Sequence, residues 1–319
     1  MKQHFVKLGW LSMLAVALAV TCRPGMATQS YSGSGLVLQV NPQHNEVVVS
    51  MKEIPGFMEA MVMPLPVPQA KELRGINPGM LVDFTLVVAE ATSYVENLRV
   101  HRFESYENDP QGACRLAVIE KVFASNSKTA LALGDHVPDF TLTDQNGRPL
   151  SLSQFAGKVV AITFVYTRCP LPNFCFRLSN NFGQLQKRYA KQMGHDLILL
   201  TITLDPTTDG PDALARYATV WKANTNAWHF LTGSPADVRK VTSMFSVVSN
   251  SDEGTVTHSL HTVIIDRQGD VAANLEGNEF TGTQLGDLVE AELAKPTPAV
   301  HTERVDNSSV TSPINDARH

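Results

Sequence analysis

The chain has 319 residues, 18 % of them charged, and a formal net charge of −5. That length accommodates two domains with cores of their own. A sparsely charged, weakly acidic chain lacks the basic field that nucleic acid or an anionic membrane surface requires, which sets both aside as main partners.

Lys2 and Lys7 precede an uncharged run from Leu8 to Cys22, short for a membrane span, and Gly25-Met26-Ala27 offers small residues for cleavage. Residues 1–27 therefore read as a signal peptide that sends the mature chain to the periplasm or another extracytoplasmic space. Left uncleaved, the same segment would keep the chain close to a membrane. Lipid attachment at Cys22 is the lesser alternative, since Ala19 and Thr21 fit that pattern poorly. Cleavage leaves Cys114, Cys169 and Cys175, too few for a disulfide-stapled scaffold, so the fold has to rest on apolar cores. Cys114 reads as buried and inert.

Five short β-type runs follow: Gly35 to Val40, Glu46 to Met51, Met61 to Val67, Met80 to Val88 and Ser93 to Arg102. Turn residues such as Asn41-Pro42, Pro55-Gly56 and Asn77-Pro78-Gly79 separate them, which predicts a small all-β barrel over residues 30–106. Pro64, Pro66 and Pro68 cannot donate to a ladder, so the strand that carries them belongs at an edge. Residues 107–133 read as a linker; a flexible connection of that length averages about 30 Å, letting two domains touch or part.

From Gly134 strands alternate with longer amphipathic segments. Val159 to Tyr166 and Leu197 to Leu204 are unbroken apolar runs, as in strands buried on both faces. Prolines at 211 and 235 open two helices, Thr262 to Asp266 is a strand before the turn Arg267-Gln268-Gly269-Asp270, and Thr283 to Lys295 is a closing helix. Residues 134–295 thus form an α/β domain. The Pro-, Ser- and Asn-rich residues 296–319 lack apolar periodicity and read as a disordered tail.

Two groups of sulfur-bearing side chains carry the chemistry. Cys169 and Cys175, in Cys169-Pro170-Leu171-Pro172-Asn173-Phe174-Cys175, close an apolar strand and open a helix. There a thiolate is favoured, as a redox nucleophile or a soft metal ligand; a static disulfide or inert burial are the bland alternatives. Met61 and Met63 share one side of a strand, Met58 precedes them on a turn and Met51 comes from the strand before. Thioethers are neutral and soft, bind Cu(I) without losing a proton and form no disulfides; the bland reading is core filling.

Residues 134–295 resemble the Sco/SenC family of thioredoxin-like copper proteins. The resemblance rests on Gly134-Asp135-His136-Val137-Pro138-Asp139-Phe140, Phe164-Val165-Tyr166-Thr167-Arg168-Cys169-Pro170, Thr203-Leu204-Asp205-Pro206-Thr207-Thr208-Asp209 and Thr257-His258-Ser259. It implies a copper site of Cys169, Cys175 and His258, holding Cu(I) or Cu(II), with His261 a weaker candidate. The family spacing places three residues between the cysteines, whereas five stand here.

Residues 31–106 are similar to the CusF-type copper-binding barrel, through Glu53-Ile54-Pro55-Gly56-Phe57-Met58-Glu59-Ala60-Met61-Val62-Met63-Pro64. That likeness implies Met61 and Met63 as sulfur ligands, with Met58 where the best-known form has a tryptophan and Met51 near its histidine.

Together the resemblances imply an exported metallochaperone that captures Cu(I) on the barrel and delivers it to a client, such as the copper centre of cytochrome c oxidase. The alternatives are a thiol-disulfide oxidoreductase acting through Cys169 and Cys175, which would make the chain an enzyme, and periplasmic copper sequestration supporting efflux.

Overall fold

The computed structural model describes residues 28–89, 92–101, 130–252 and 255–297. The expectations placed on the signal peptide, on Cys22 and Cys114, on most of the linker and on nearly all of the tail lie outside those residues.

The first half is one antiparallel sheet of β1 (Gln29–Asn41), β2 (Glu46–Met51), β3 (Val62–Pro66), β4 (Leu81–Val88) and β5 (Ser93–Val100), in the order β3-β2-β1-β4-β5. The edge strands β3 and β5 approach each other, so the sheet rolls into a small barrel. Val37, Val49, Leu65, Val82 and Phe84 fill it. Pro64 lies opposite Val48 and Pro66 opposite Glu46, on the edge strand where their missing N–H groups leave no donor unpaired inside the sheet.

The second half is thioredoxin-like. In chain order it comprises β6 (Thr141–Asp144), β7 (Pro149–Ser151), β8 (Val159–Val165), α1 (Arg177–Arg188), β9 (Leu197–Thr203), α2 (Pro211–Val220), β10 (Trp228–Thr232) and α3 (Pro235–Met244). The hairpin β11 (Ser249–Asp252) and β12 (Thr255–His258), then β13 (His261–Ile265), β14 (Val271–Glu276) and α4 (Gly282–Leu293) complete it. The main sheet runs β14-β13-β8-β9-β10-β6-β7, with β8 and β9 parallel at its centre and buried at every position. Their unbroken apolar sequences follow from that double burial. Ser234 caps α3 by accepting from the Asp237 N–H, and Thr281 and Gln284 form a reciprocal capping box on α4.

A flexible linker predicts halves that touch or part; in the structure they touch. Leu36 and Leu38, on the face of β1 turned away from the barrel interior, are buried in the core of the second half, with Val48 and Leu81 packed beside them. Gly79, at φ +87°, lies so close to β14 that an added Cβ would come 3.0 Å from the Ala273 methyl. Polar contacts frame the apolar patch: Ser50 donates to Asp287 (2.6 Å), Gln284 donates to the Ser50 carbonyl (3.0 Å), and His101 reaches Glu279 (2.7 Å).

Candidate copper and thiol sites

Strand β8 delivers the thiol site. Its last residues lead through Tyr166, buried, to Cys169, whose N–H donates to the Tyr166 carbonyl (3.2 Å). The expectation that the cysteines sit at the opening of a helix needs refinement. Cys169 lies ahead of any helix, and Cys175 falls inside a wide π-type turn, Pro172–Phe176, that feeds α1 at Arg177. A turn closed by i→i+5 bonds accommodates extra residues, and here it folds Cys175 back beneath the strand end.

The thiols are free and unequal: Cys169 is partly accessible and Cys175 is buried. The neighbouring Cys175 thiol, and then the Leu171 and Cys175 backbone, stabilise the Cys169 thiolate and bring its pKa down to about 6 against the opposing effect of burial. The Cys169 thiolate and burial push Cys175 well above the usual thiol range. The protons leave as from a coupled pair, first from the outer sulfur.

His258, at the end of β12, brings Nε2 to 3.9 Å from Cys175 Sγ, while its Nδ1 lies 2.8 Å from the Ser259 carbonyl. A carbonyl only accepts, so Nδ1 carries the proton and Nε2 turns a lone pair toward the cysteines. Burial lowers its pKa to about 4, leaving a neutral imidazole with Tyr166 edge-on to its ring at 5.9 Å. His261 lies one strand further on and is bonded to Asn274 (2.9 Å) instead.

Among the described residues no three His, Cys, Asp or Glu side chains already surround one point. Cys169 Sγ stands 3.8 Å from the Leu171 carbonyl, two residues along its own loop. The donor set itself suits a soft, low-coordinate ion.

A buried carboxylate supports the approach to Cys169. Asp209 accepts from the Thr167 N–H (2.9 Å), the Thr167 hydroxyl (2.5 Å) and the Thr203 hydroxyl (2.7 Å), and Asp205 pairs with Arg168 (2.7 Å). These acids stand in the sequence motif containing Pro206, yet spacing alone does not show that they grip the two residues before Cys169.

In the barrel, the register places Met51, Met61 and Met63 on one face: Val49, which points inward, pairs with Met63, and the Met51 N–H donates to the Met61 carbonyl (2.9 Å). Met51 is buried, Met63 and Met58 pack against the barrel core, and Met61 is 47 % exposed. The set runs from the interior to an open rim, where Tyr31 and Phe57 stack at 3.9 Å.

Residues 129–292 match the SCO1/SenC family, and residues 30–100 match the copper binding periplasmic protein CusF. Copper is the metal of both families. An SCO1 protein homolog of Bacillus subtilis is 27 % identical over 153 residues, covering 47 % of this chain and 78 % of that protein. An SCO2-like protein of Rickettsia typhi is 29 % identical over 139 residues, 41 % of this chain and 64 % of that protein, so the chain spans just under two thirds of that relative. A SCO1/SenC family lipoprotein structure from Bacillus anthracis aligns with a TM-score of 0.45 at 27 % identity, covering 51 % of this chain and 99 % of that one. With the first of these matches extending over just over half its length, this chain belongs to the SCO1/SenC family and carries a CusF-like domain ahead of the family domain.

Proposed function

We propose that the protein is an exported carrier of Cu(I). The barrel takes up the ion on Met51, Met58, Met61 and Met63, and the thioredoxin-like half receives it on Cys169, Cys175 and His258 for delivery to a copper client such as cytochrome c oxidase. The observation that carries this reading is the neutral His258 imidazole, its Nε2 lone pair directed at Cys175 beside a thiol that ionises near neutral pH. A thiolate, a thiol that must give up its proton on binding and an imidazole offer Cu(I) three soft or borderline donors, with Cys175 carrying most of the cost of deprotonation. The half-exposed Met61 gives the barrel an entrance, and thioethers survive an oxidising compartment. The apolar run behind Lys2 and Lys7 and the periplasmic description of the CusF match support export.

The order of events follows from the donors. Cu(I) reaching Met61 exchanges thioether sulfur for the Cys169 thiolate, the tighter-binding anionic donor; Cys175 then releases its proton to solvent as it joins, and His258 completes the set. The test uses the full chain, purified anaerobically and titrated with Cu(I). Two equivalents are expected, one lost in Met61→Leu/Met63→Leu and the other in Cys169→Ser/Cys175→Ser. Two equivalents in the methionine variant would overturn the barrel site, and two in the cysteine variant would overturn the thiol site.

The inequality of the two thiols favours a second reading, a thiol-disulfide oxidoreductase in which Cys169 attacks and Cys175 resolves. His258→Ala separates the two: loss of copper with unchanged disulfide exchange and unchanged client maturation assigns the redox role.

A further inference from the structure

Five residues, two of them prolines, separate Cys169 from Cys175, and something has to hold so long a loop folded back. The tie comes from across the chain. Asn278, buried in the loop between β14 and α4, donates its side-chain amide to the carbonyl of Asn173, two residues before Cys175. Its neighbours hold the rest of the site: the Gly277 N–H donates to the Leu260 carbonyl (2.8 Å), two residues beyond His258. Arg177, the first residue of α1, donates to the Glu279 carbonyl (3.3 Å), and Asn181 donates to that of Phe280 (3.3 Å).

The barrel grips the same short loop from the other side. His101 sits between Asp83 and Glu279, with Nδ1 and Nε2 each 2.7 Å from a carboxylate oxygen. Gln284 accepts from the Thr281 N–H (3.0 Å) while its amide donates to the carbonyl of Ser50, the residue before Met51. This five-residue segment is therefore bonded to the methionine-bearing half through the Glu279 carboxylate, with Gln284 just beyond it adding a second tie, and to both ligand-bearing loops of the thiol half.

We propose that the Gly277–Thr281 loop is a positioning element that transmits docking of the barrel to the cysteine loop, with Asn278 the residue that holds Cys175 within reach of Cys169. This rests on the reading of the two cysteines as a working pair. Tying down a loop two residues from one of its ends raises the effective concentration of that end at the other, with no new contact at the sulfurs. A loop released from Asn278 spends more of its time with Cys175 away from both Cys169 and His258.

The measurement is the thiol–disulfide equilibrium of the full chain in glutathione buffers. The Cys169 thiolate attacks glutathione disulfide and expels one glutathione thiolate. Cys175, losing its proton, then displaces the second glutathione and leaves the internal disulfide, so one glutathione disulfide is reduced to two glutathiones for each bond formed. Asn278→Asp keeps the volume of the side chain but removes its donor, and is expected to lower the effective concentration of the pair about tenfold, equivalent to about 30 mV for this two-electron couple. His101→Gln, at a half-exposed site with no role in either core, is expected to move it in the same direction by about twofold to threefold, the scale of an exposed ion pair. An Asn278→Asp equilibrium within twofold of wild type overturns the proposal. A shift in Asn278→Asp with none in His101→Gln overturns the coupling to the barrel. A wild-type chain that forms no internal disulfide at any glutathione ratio overturns the pair itself, and this proposal with it.

Discussion

The two halves arrange soft donors in opposite ways. In the barrel, uncharged thioethers run from a buried Met51 to a rim where Met61 is half exposed, and no proton has to leave for a metal to bind. In the thioredoxin-like half, ionisable thiols and an imidazole are withdrawn behind a wide turn, and their charge depends on one another. Barrel binding should therefore be nearly independent of pH, whereas thiol-site binding should weaken in acid. Under the proposed handover this difference would give the transfer its direction, from an open neutral donor set to an enclosed anionic one.

The largest effect tests whether the halves are one cooperative unit. Leu36→Ala removes a side chain on the barrel strand that is wholly buried in the other half's core. A cost of about 2–5 kcal/mol is expected for a buried leucine, seen as a single transition shifted to lower urea. Two separated transitions in the wild-type chain would break the picture of a shared core. Next comes the thiol site. His258→Ala should weaken Cu(I) binding there by at least the roughly 10- to 100-fold that loss of a mere supporting contact costs, and leave the barrel equivalent in place. A chelator competition resolving both sites checks this.

The pH dependence sharpens the contrast. Alkylation of Cys169 by iodoacetamide should rise with a midpoint of about 6, while Cys175 stays silent far beyond neutral pH. Because the folded state lowers the Cys169 pKa below that of an ordinary thiol, the associated stability is present above the unfolded value and is lost as pH falls toward about 6. His258, held neutral by burial, adds to this on the acid side: the unfolded chain takes up its proton from about pH 6.5 downward while the folded chain resists to about 4. The metal-free reduced chain should therefore destabilise progressively in acid, and Cys169→Ser/His258→Gln should flatten that profile.

The smallest effect is at the domain contact. Asp83 and Glu279 raise the His101 pKa, so its contribution is full below the ordinary histidine value and fades as pH rises through the raised one. Among the described residues, Arg99, across the ladder from Asp83, and Arg177, which donates to the Glu279 carbonyl, also lie at this cluster. His101→Gln should cost no more than about 1 kcal/mol at pH 5, and less at pH 8.

Local rules made much of this legible in advance. Prolines at 64 and 66 marked an edge strand, double apolar runs marked the central strands, and prolines 211 and 235 marked helix starts, because each follows from the chemistry of one short segment. The alternation of Met61 and Met63 likewise gave their shared face. What stayed hidden depends on contacts far apart in sequence. Nothing around Asn278 announces that it meets Asn173, and the apolar residues Leu36 and Leu38 look like ordinary barrel filling although they serve the other core. The π-type turn was hidden for a different reason: it answers a surplus of residues whose accommodation depends on what lies beneath it.

The leucine pair on β1 has a practical consequence for dissecting the molecule. A barrel cut away at the linker would present Leu36, Leu38, Val48 and Leu81 to water as a contiguous greasy stripe, and the severed partner would show a matching bare patch along α4 and at Ala273 and Leu275 of β14. Fragments made to study each candidate site separately would clump or find one another again in the tube, so point changes in the intact chain are the cleaner instrument.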